Sequence, residues 1–510
     1  MSSNNAAIAV TALLLVALFV SFYEISPVMA ICTIYIRADG SIDPPTAPLA
    51  TADNITYTLT DNILYTTLSV ERDNIVVNGA GHTIQGDGYS DGIYFVGRSN
   101  VTINGFEIRT CFNAVLAWNS SHCTIAGNNI TNNHAAIWVI NMSASIIRNN
   151  RMIANSHALE IVVSSENTIA ENTMTNNFFI GIDFAYSSDN IVTENNITSN
   201  NVTSNNVGIN LWSSNKTVVR NNIIENFTDG FYLLNAFNNS ICCNEIAASR
   251  KCGIYVVGSY YNSIYYNNFL NNPEHVHVGE SRPGNFWNYD YPLGGNYWSG
   301  YNGVDQRSGS YQNETGSDGI GDTPYKIDSN NQDNYPLMSL WSPPDIAVTS
   351  ITASKTIIGQ GFCQNLGVSF ANLGSKIEVF NVIVSANHTQ ILRQYALLNN
   401  NQSADVAVRW NTSDFGKGTY LLSALIEPVP IGYNLLNSEF QNGYVYIGIP
   451  GDVDGNRIVD MSDVYCIAGC FGAIRGHAIN YVSNSDIDDS GAIDILDLYI
   501  AATHFGQTDP

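Results

Sequence analysis

Residues 164–177 read SSENTIAENTMTNN, in which polar side chains surround only three apolar ones. Taken alone, this composition is typical of disordered chain. Closely similar segments stand on either side, with NNITNN at 128–133, NNRMIANS at 149–156 and ENNITSN at 194–200. A segment that recurs in this way indicates one unit of a repeat.

The repeat unit is an apolar residue followed three positions later by Asn. The apolar positions are Ile125, Ile147, Ile169, Val192, Val218, Ile241 and Ile264, at steps of 22, 22, 23, 26, 23 and 23 residues. The first Asn row is Asn128, Asn150, Asn172, Asn195, Asn221, Asn244 and Asn267. A second apolar row follows at Ile130, Met152, Met174, Ile197, Ile223, Ile246 and Phe269. A second polar row follows at Asn133, Asn155, Asn177, Asn200, Asn226, Ser249 and Asn272. Alternating apolar and polar residues indicate strands, and the fixed period predicts a right-handed parallel β-helix.

The abundant Asn has a structural explanation in such a fold. Each coil turns corners between sheets, where the backbone groups lack partners within a strand. An inward Asn amide supplies both a donor and an acceptor, and stacked amides satisfy one another in a ladder. Ligand binding by these Asn residues is the alternative.

A further row belongs to another strand of the coil. Its predicted core residues are Val115, Ile137, Leu159, Ile182, Ile209, Phe231 and Ile254. Their neighbours point outward by the period of two and are Leu116, Trp138, Glu160, Asp183, Asn210, Tyr232 and Tyr255.

The outward row carries the candidate binding residues Trp138, Tyr232 and Tyr255, which would stack on sugar rings. It also places Glu160 and Asp183 on adjacent coils, about 4.8 Å apart by strand spacing, near the separation of about 5–5.5 Å in retaining glycosidases. We expect a glycan-binding face without catalysis. A glycoside hydrolase or polysaccharide lyase that uses these two weak catalytic candidates is the alternative, and a plain solvated face is a third interpretation.

The composition restricts the class of partner. The chain has 510 residues, a formal net charge of −24 and 20 Lys and Arg. This charge disfavours nucleic acid and anionic membrane surfaces and is compatible with acidic loops that bind a divalent cation. The nine cysteines are odd in number and scattered, so they do not indicate a disulfide framework.

An apolar stretch, AAIAVTALLLVALFV, covers residues 6–20, and the small residues of VMA follow at 28–30. This pattern predicts a signal peptide over 1–30, export to the cell surface or the medium, and no membrane span in the mature chain. A retained N-terminal anchor is the alternative.

Two motifs follow the repeats, GGNYWSGYNGVD at 294–305 and DGIGDTPYKIDSNNQDNYPLM at 318–338. With the repeats, they resemble the NosD-like and carbohydrate-binding or sugar-hydrolase β-helix proteins secreted by archaea and bacteria. The family name implies copper handling, for which His275 and His277, on one face of a strand, are the nearest ligands; we expect no copper. The clustered Asp residues of pectin-degrading enzymes are not seen. One interpretation of these motifs is that their acidic residues bind calcium. The alternative is that the motifs only close the end of the solenoid, through Tyr297, Trp298, Tyr325 and Tyr335.

The segment 343–450 contains strand-like runs with turn signals between them, which predict a β-sandwich. The run VSFAN at 368–372 and the segment from Trp410 to Tyr420 resemble a cell-adhesion-related immunoglobulin-like domain. No catalytic group is apparent there, so we expect a spacer.

Two acidic loops follow, DVDGNRIVDMSD at 452–463 and DIDDSGAIDILD at 486–497. Oxygen donors stand at positions 1, 3, 5, 7, 9 and 12, as calcium requires. The predicted ligands are Asp452, Asp454, Asn456, Ile458, Asp460 and Asp463, then Asp486, Asp488, Ser490, Ala492, Asp494 and Asp497. Each loop leads into a short amphipathic helix. The duplicated unit resembles a dockerin domain, which implies docking onto a cohesin-like protein. The first loop departs at its sixth position, where Arg457 replaces Gly.

The sequence therefore predicts a signal peptide at 1–30, an N-terminal cap with first coils at 31–98, β-helix repeats at 99–282 and a C-terminal cap at 283–342. A sandwich at 343–450 and a small α-helical calcium module at 451–510 follow. The predicted function is binding of carbohydrate or cell-envelope glycan, with a polysaccharide hydrolase or lyase and a copper-handling protein as alternatives.

Overall fold

The computed structural model describes residues 33–200, 205–279, 284–374, 377–428, 439–477 and 480–509. The predicted signal peptide lies outside these residues. The chain forms two compact units, one of residues 1–286 with 327–331 and one of residues 287–326 with 332–510. Among the described helices, none has the length and apolar character needed to cross a membrane.

The first unit is a parallel β-helix, as the repeat predicts. Each coil contributes one strand to each of three sheets, called sheets A, B and C here, and pairs in parallel with the coils before and after it. The strands of sheet A are Ile34–Ile36, Ile42–Asp43, Leu68–Val70, Ile93–Val96, Asn113–Trp118, Ala135–Ile140, His157–Val162, Ile180–Ala185, Val207–Trp212, Asp229–Leu234, Cys252–Val257 and Glu274–Val278.

The strands of sheet B are Leu49–Thr51, Thr56–Leu59, Ile75–Asn78, Val101–Asn104, Thr124–Ala126, Ile146–Arg148, Thr168–Ala170, Ile191–Thr193, Val218–Arg220, Ser240–Cys242 and Ser263–Tyr265. The strands that this unit gives to sheet C are Ile63–Leu64, Thr83–Gln85, Glu107–Arg109, Asn129–Thr131, Arg151–Ile153, Thr173–Thr175, Asn196–Thr198, Ile223–Glu225, Glu245–Ala247 and Asn268–Leu270. The strands Ile34–Ile36 with Ile42–Asp43 and Leu49–Thr51 with Thr56–Leu59 are antiparallel pairs at the N-terminal end.

The predicted Asn ladder lies at the corner between sheets B and C. Asn150 is buried, and its side-chain amide donates to Asn172 Oδ1 at 3.1 Å and to the carbonyl of Ile125 at 2.8 Å. The residue before it, Asn149, has a φ of 53°, the left-handed conformation that turns the corner. The amides therefore satisfy backbone groups that the corner leaves without a strand partner, and the structural interpretation of this row is confirmed.

One coil runs one residue later than the sequence predicts. The buried residues there are Val219, Asn222 and Ile224, in place of Val218, Asn221 and Ile223. A slip of one residue exchanges the two faces of a strand, so the predicted assignment of this coil is wrong on both faces.

The second polar row is less regular than predicted. Asn133, Asn155 and Asn177 continue as a buried ladder. Asn200 and Asn226 are exposed instead, and Ser199 and Phe227 occupy the buried positions.

Two further ladders were not predicted. Ser145, Asn167 and Asn190 begin a third buried row, in which Asn167 Nδ2 donates to Asn190 Oδ1 at 3.1 Å. Ser164 and Ser187 belong to a serine row, in which the Ser164 amide donates to Ser187 Oγ at 3.1 Å. The signal for the third row was present in the sequence, as Ser or Asn two residues before five of the seven apolar positions of the repeat.

The second unit begins with short strands, four of which form two antiparallel pairs, and continues as two larger sheets. The short strands are Tyr297–Trp298, Arg307–Ser308, Glu314–Thr315, Tyr325–Lys326 and Gln332–Asp333. The three-stranded sheet contains Ile346–Ala353, Cys363–Asn372 and Ser403–Asn411. The five-stranded sheet contains Ile357–Gly359, Glu378–Ala386, Thr389–Leu398, Gly418–Pro428 and Glu439–Gly448. The two larger sheets share one core, in which Phe370 and Phe380 meet edge to face at 5.4 Å.

The described part of the chain has two short α-helices, α1 at Met461–Gly469 and α2 at Ile495–Thr503, and a single turn of 3-10 helix at Ser483–Ser485. Their small core contains Ile467 and Ala501, and Phe362 of the preceding sheet region packs against it. Phe471 and Phe505, which follow the ends of the two helices, are 52% and 51% exposed.

Candidate functional site

Sheet A carries the outward row that the sequence predicts. The register pairs each member with its equivalent on the next coil, through Leu116, Trp138, Glu160, Asp183, Asn210, Tyr232 and Tyr255. The row also extends beyond the predicted residues, to Tyr94 at one end and His277 at the other. All of these side chains are half-buried. We call them the outer row.

Two carboxyl groups lie at the middle of the outer row. Glu160 and Asp183 are direct register partners on adjacent strands. Burial, and to a smaller extent the charge of Asp183, raises the pKa of Glu160 to about 7. Burial also raises the pKa of Asp183, although Asn210 Nδ2 donates to Asp183 Oδ1 at 2.7 Å. The pair is therefore able to hold a proton near neutral pH, as an acid catalyst or an uncharged hydrogen-bond donor does.

Polar atoms on both sides of the carboxyl pair lack partners. The Nε1 atom of Trp138 and the Oδ1 atom of Asn210 are buried and make no hydrogen bond within the described chain. A buried polar atom without a partner is costly in a folded protein and requires an explanation, such as a catalytic role or a bound water or ion. One donor and one acceptor are thus free beside Glu160 and Asp183.

Two imidazoles lie beside the outer row. His157 opens the strand that contains Glu160, and its Nδ1 lies 3.2 Å from Glu160 Oε1. Burial, together with the nearby His134, lowers the pKa of His157 to about 4, and burial also lowers the pKa of His134. Both rings are therefore neutral at pH 7. Phe112 stacks on His134 at 4.5 Å, and Phe179 stacks on His157 at 5.6 Å.

The C-terminal end of the outer row is aromatic. Tyr232 and Tyr255 stack with centroids 5.2 Å apart and planes 7° from parallel, and His277 stacks on Tyr255 at 4.7 Å. The ammonium group of Lys251 lies 4.1 Å from the centre of the Tyr255 ring. The rings cover one another's faces, so this end of the row presents an apolar aromatic surface beside a cation, which suits a ligand that has both apolar and polar parts.

The copper ligands implied by the family name do not share a face. His277 belongs to the outer row, whereas His275 is buried in the corner of the last coil, beside Asn272 and the ring of Phe269. The expectation of one shared face was wrong because residue 275 continues a row of small corner residues, such as Gly253, that does not follow the alternation of a straight strand.

The acidic residues of the C-terminal cap serve the backbone. Asp333 is buried and accepts from the amide of Asn296 at 2.7 Å and from Trp298 Nε1 at 2.9 Å. Asp305 accepts from the amides of Asp318 and Gly319. Trp298 stacks on Tyr325 at 4.3 Å. These contacts favour a structural role over calcium binding.

The first acidic loop brings three of its predicted ligands together. Donor atoms of Asp452, Asp454 and Asp463 lie within 4.8 Å of one another. The buried Asp463 accepts from the amides of Val453 and Asp460, and burial raises the pKa of Asp452 to about 6. The remaining predicted ligands shape the turn: Asn456 Oδ1 accepts from Ile458 N, and Asp460 caps α1 by accepting from Ser462 N.

The second loop repeats this arrangement with Asp486, Asp488 and Asp497 within 4.8 Å of one another. Burial raises the pKa of Asp497, although its carboxylate accepts from the amides of Ile487 and Asp494. The side chains of the remaining predicted ligands again shape the loop: Asp494 accepts from Leu496 N, and the Ser490 hydroxyl donates to the carbonyl of Ala492.

Sequence reasoning missed the cations near the second loop. Arg475 Nη2 donates to Asp486 Oδ2 at 2.9 Å and also contacts Asp489, and the buried Lys355 donates to the carbonyls of Asp486 and Ile487. The other oxygen of Asp486, Oδ1, is buried without a hydrogen-bond partner in the described chain. The carboxylate clusters of both loops are suitable for a metal ion. At the second loop, the partnerless oxygen of Asp486 is an additional indication of a metal site.

The two helices expose matching apolar residues. Tyr465 and Tyr499 are 80% and 65% exposed, and Met461 and Ile495 are 66% and 65% exposed. Each pair stands 34 positions apart, the spacing of the two loops. The duplication therefore gives the helices equivalent apolar surfaces.

Two protein families match parts of the chain. The family described as "Right handed beta helix region" matches residues 54–218, and the family described as "Periplasmic copper-binding protein (NosD)" matches residues 193–303. Together with the parallel strand register, these matches show that the first unit is a right-handed parallel β-helix of about ten turns.

Two cellulosomal-scaffolding proteins of Acetivibrio thermocellus, B and A, are 30% identical to the chain over 97 residues, or 19% of its length. The chain spans 12% and 5% of these relatives. Among solved structures, the A-module of a mannuronan C-5 epimerase from Azotobacter vinelandii is 14% identical, covering 46% of this chain and 80% of that one with a TM-score of 0.37. A CARDB domain from Pyrococcus furiosus, solved with di-metal ions, is 19% identical and covers 20% and 88%, with a TM-score of 0.18.

Proposed function

We propose that the outer row binds polysaccharide, as an exported or cell-surface protein would bind a carbohydrate or cell-envelope glycan. The observation that carries this proposal is the pair of partnerless polar atoms on Trp138 and Asn210, beside the stacked rings of Tyr232 and Tyr255. An aromatic row packs against the apolar surface of sugar rings, and the polar atoms without partners beside it can be satisfied by a hydroxyl group or by an ordered water.

The test is affinity electrophoresis of the full chain through gels containing different polysaccharides. The Trp138→Ala, Tyr232→Ala, Tyr255→Ala triple variant should lose retention while its circular dichroism stays that of the parent. A matched control removes a stacked pair away from the row, Phe237 and Tyr260, whose rings lie 5.9 Å apart. Retention that is lost equally in both variants, or in neither, would contradict the proposal.

A polysaccharide hydrolase or lyase is the second candidate. The raised pKa of Glu160, next to Asp183, supports it, because an acid catalyst must carry a proton at working pH. Release of reducing ends or unsaturated products from the retained polysaccharide should stop in both Glu160→Gln and Asp183→Asn. Activity that survives both changes would exclude these groups as acid and base.

We also propose that the two acidic loops bind calcium and that the second unit acts as a spacer and docking module. The partnerless Asp486 Oδ1 supports the ion, since calcium takes several oxygens in loops of this spacing. The exposed apolar residues of both helices support a protein partner of the cohesin kind. Calorimetric titration of the full chain with calcium should show two sites, and Asp497→Ala should remove one.

A further inference from the structure

We infer that His134, His157 and Glu160 form a binding site for one divalent transition ion of the zinc class. One donor atom from each residue lies within 4.8 Å of the other two. A metal site here is a function distinct from polysaccharide binding. Its ligands also differ from those of the two acidic loops, whose clustered ligand atoms are all carboxylate oxygens.

The backbone of two adjacent coils brings these ligands together. His134 directly precedes the strand Ala135–Ile140, and His157 is the first residue of the next strand of sheet A. The amide of His157 donates to the carbonyl of His134 at 2.9 Å, which holds the two residues on neighbouring rungs. Glu160 follows three residues later and belongs to the outer row. Two ligands therefore sit on one strand of the sheet and the third directly before the paired strand, a backbone arrangement that can hold the geometry of a metal site.

The rings are held between aromatic walls. Phe112 stacks on His134 with planes 7° from parallel, and Phe179 stacks on His157 with planes 29° apart. Such walls limit rotation of the imidazoles. The Nδ1 atom of His157 is buried and makes no hydrogen bond of acceptable geometry within the described residues, although Glu160 Oε1 is 3.2 Å away. A bound ion would give this nitrogen a partner.

The donor set selects the class of ion. Two imidazole nitrogens and one carboxylate oxygen suit zinc and its neighbours, whereas calcium and magnesium take oxygen ligands almost exclusively. Three protein ligands leave a coordination position for water or for an oxygen of a bound ligand. The ion would thus lie beside Trp138 and Asp183 on the same face as the proposed glycan.

Calorimetric titration of the full chain with zinc chloride, in excess calcium to occupy the acidic loops, tests the site. We expect one zinc per chain. Glu160→Gln and His157→Ala should each weaken zinc binding by more than about ten-fold, since loss of even an outer-shell partner of a ligand costs that much. His122→Asn, which changes an exposed histidine at a corner of the same coil, should leave zinc binding unchanged.

Cobalt provides a second readout on the unaltered chain. Cobalt(II) in a site with two imidazoles should give visible absorption bands. Added zinc should displace the cobalt and abolish these bands. If circular dichroism shows that His157→Ala does not fold, the nearly isosteric Glu160→Gln variant is used to test the site. Absence of zinc binding in excess calcium, or equal binding by the parent and Glu160→Gln, would overturn the inference. Glycan retention is measured separately without zinc, so either proposal can fail alone.

Discussion

The Nδ1 atom of His157 lies 3.2 Å from Glu160 Oε1, yet the pKa values of both groups move away from those of an ion pair. An ion pair would lower the pKa of the acid and raise that of the base. Burial dominates here and does the opposite to each. The contact is therefore between a neutral imidazole and a carboxyl group that retains its proton to about neutral pH.

The first prediction is an opposite pH dependence of stability for the two groups, measured with EDTA present. The pKa of Glu160 rises from 4.5 to about 7 on folding, so its contribution to stability is lost as pH rises through that window. The pKa of His157 falls from 6.5 to about 4, so its contribution is lost as pH falls through that window. Glu160→Gln should therefore gain stability relative to the parent between pH 4.5 and 7, on the order of 1–3 kcal/mol. The His157→Asn variant should gain stability relative to the parent as the pH falls from 6.5 to 4. Denaturant unfolding across pH checks both, with Glu166→Gln as the exposed control.

The second prediction concerns the Asn ladder. Asn172 is buried, accepts from Asn150 and donates to Asn195 Oδ1 at 2.9 Å. Asn172→Leu should lower the free energy of unfolding by about 1–3 kcal/mol, because buried amides lose their partners. The exposed Asn196, on the outer side of the same corner, gives the control Asn196→Leu, expected within about 0.5 kcal/mol of the parent. Equal denaturation midpoints for both variants would count against the ladder as a source of stability.

A third prediction compares the two acidic loops. Arg457 has a φ of 74° and Gly491, at the same loop position, has a φ of 88°. A non-glycine residue in this conformation is strained by about 1 kcal/mol. Arg457→Gly should therefore tighten calcium binding at the first loop, by relieving strain and removing a positive charge. The reciprocal change, Gly491→Arg, should weaken the second loop. Calorimetry on the full chain measures both, and unchanged affinities would show that this turn does not limit binding.

The fourth prediction concerns Lys355, which is 2% exposed and donates to two carbonyls of the second acidic loop. Lys355→Met should leave both carbonyls without this donor and cost about 1–3 kcal/mol of stability, and calcium affinity at the second loop should change with it. Lys417→Met is the matched control. Its ion pair with Asp509 is 2.6 Å long, but the lysine side chain is 40% exposed, so we expect a loss below about 1 kcal/mol. Thermal melts in calcium and in EDTA distinguish the two.

The sequence by itself determined the solenoid, its period and the seven central members of the outer row, from Leu116 to Tyr255. The reason is that an apolar core and an alternating strand repeat in fixed steps, so each coil predicts the next. Sequence failed at VVRNNII, residues 218–224, because doubled Val, Asn and Ile read equally well in two registers. The buried Asn222, which accepts from the amide of Asn195 at 2.9 Å, decides between them.

Only the tertiary structure decided the chemistry of the face. The sequence placed Glu160 and Asp183 side by side, but the depth of their burial, and hence the raised pKa values, depends on how neighbouring coils cover them. His134 was not predicted as a neighbour of Glu160, since it lies outside the strand alternation and approaches only when two coils stack. Arg475 and Lys355 likewise reach the second acidic loop from outside its motif. The alternation along each strand determines which residues face outward. The burial of these residues and the charges around them depend on segments that are distant in sequence and meet only in the folded chain.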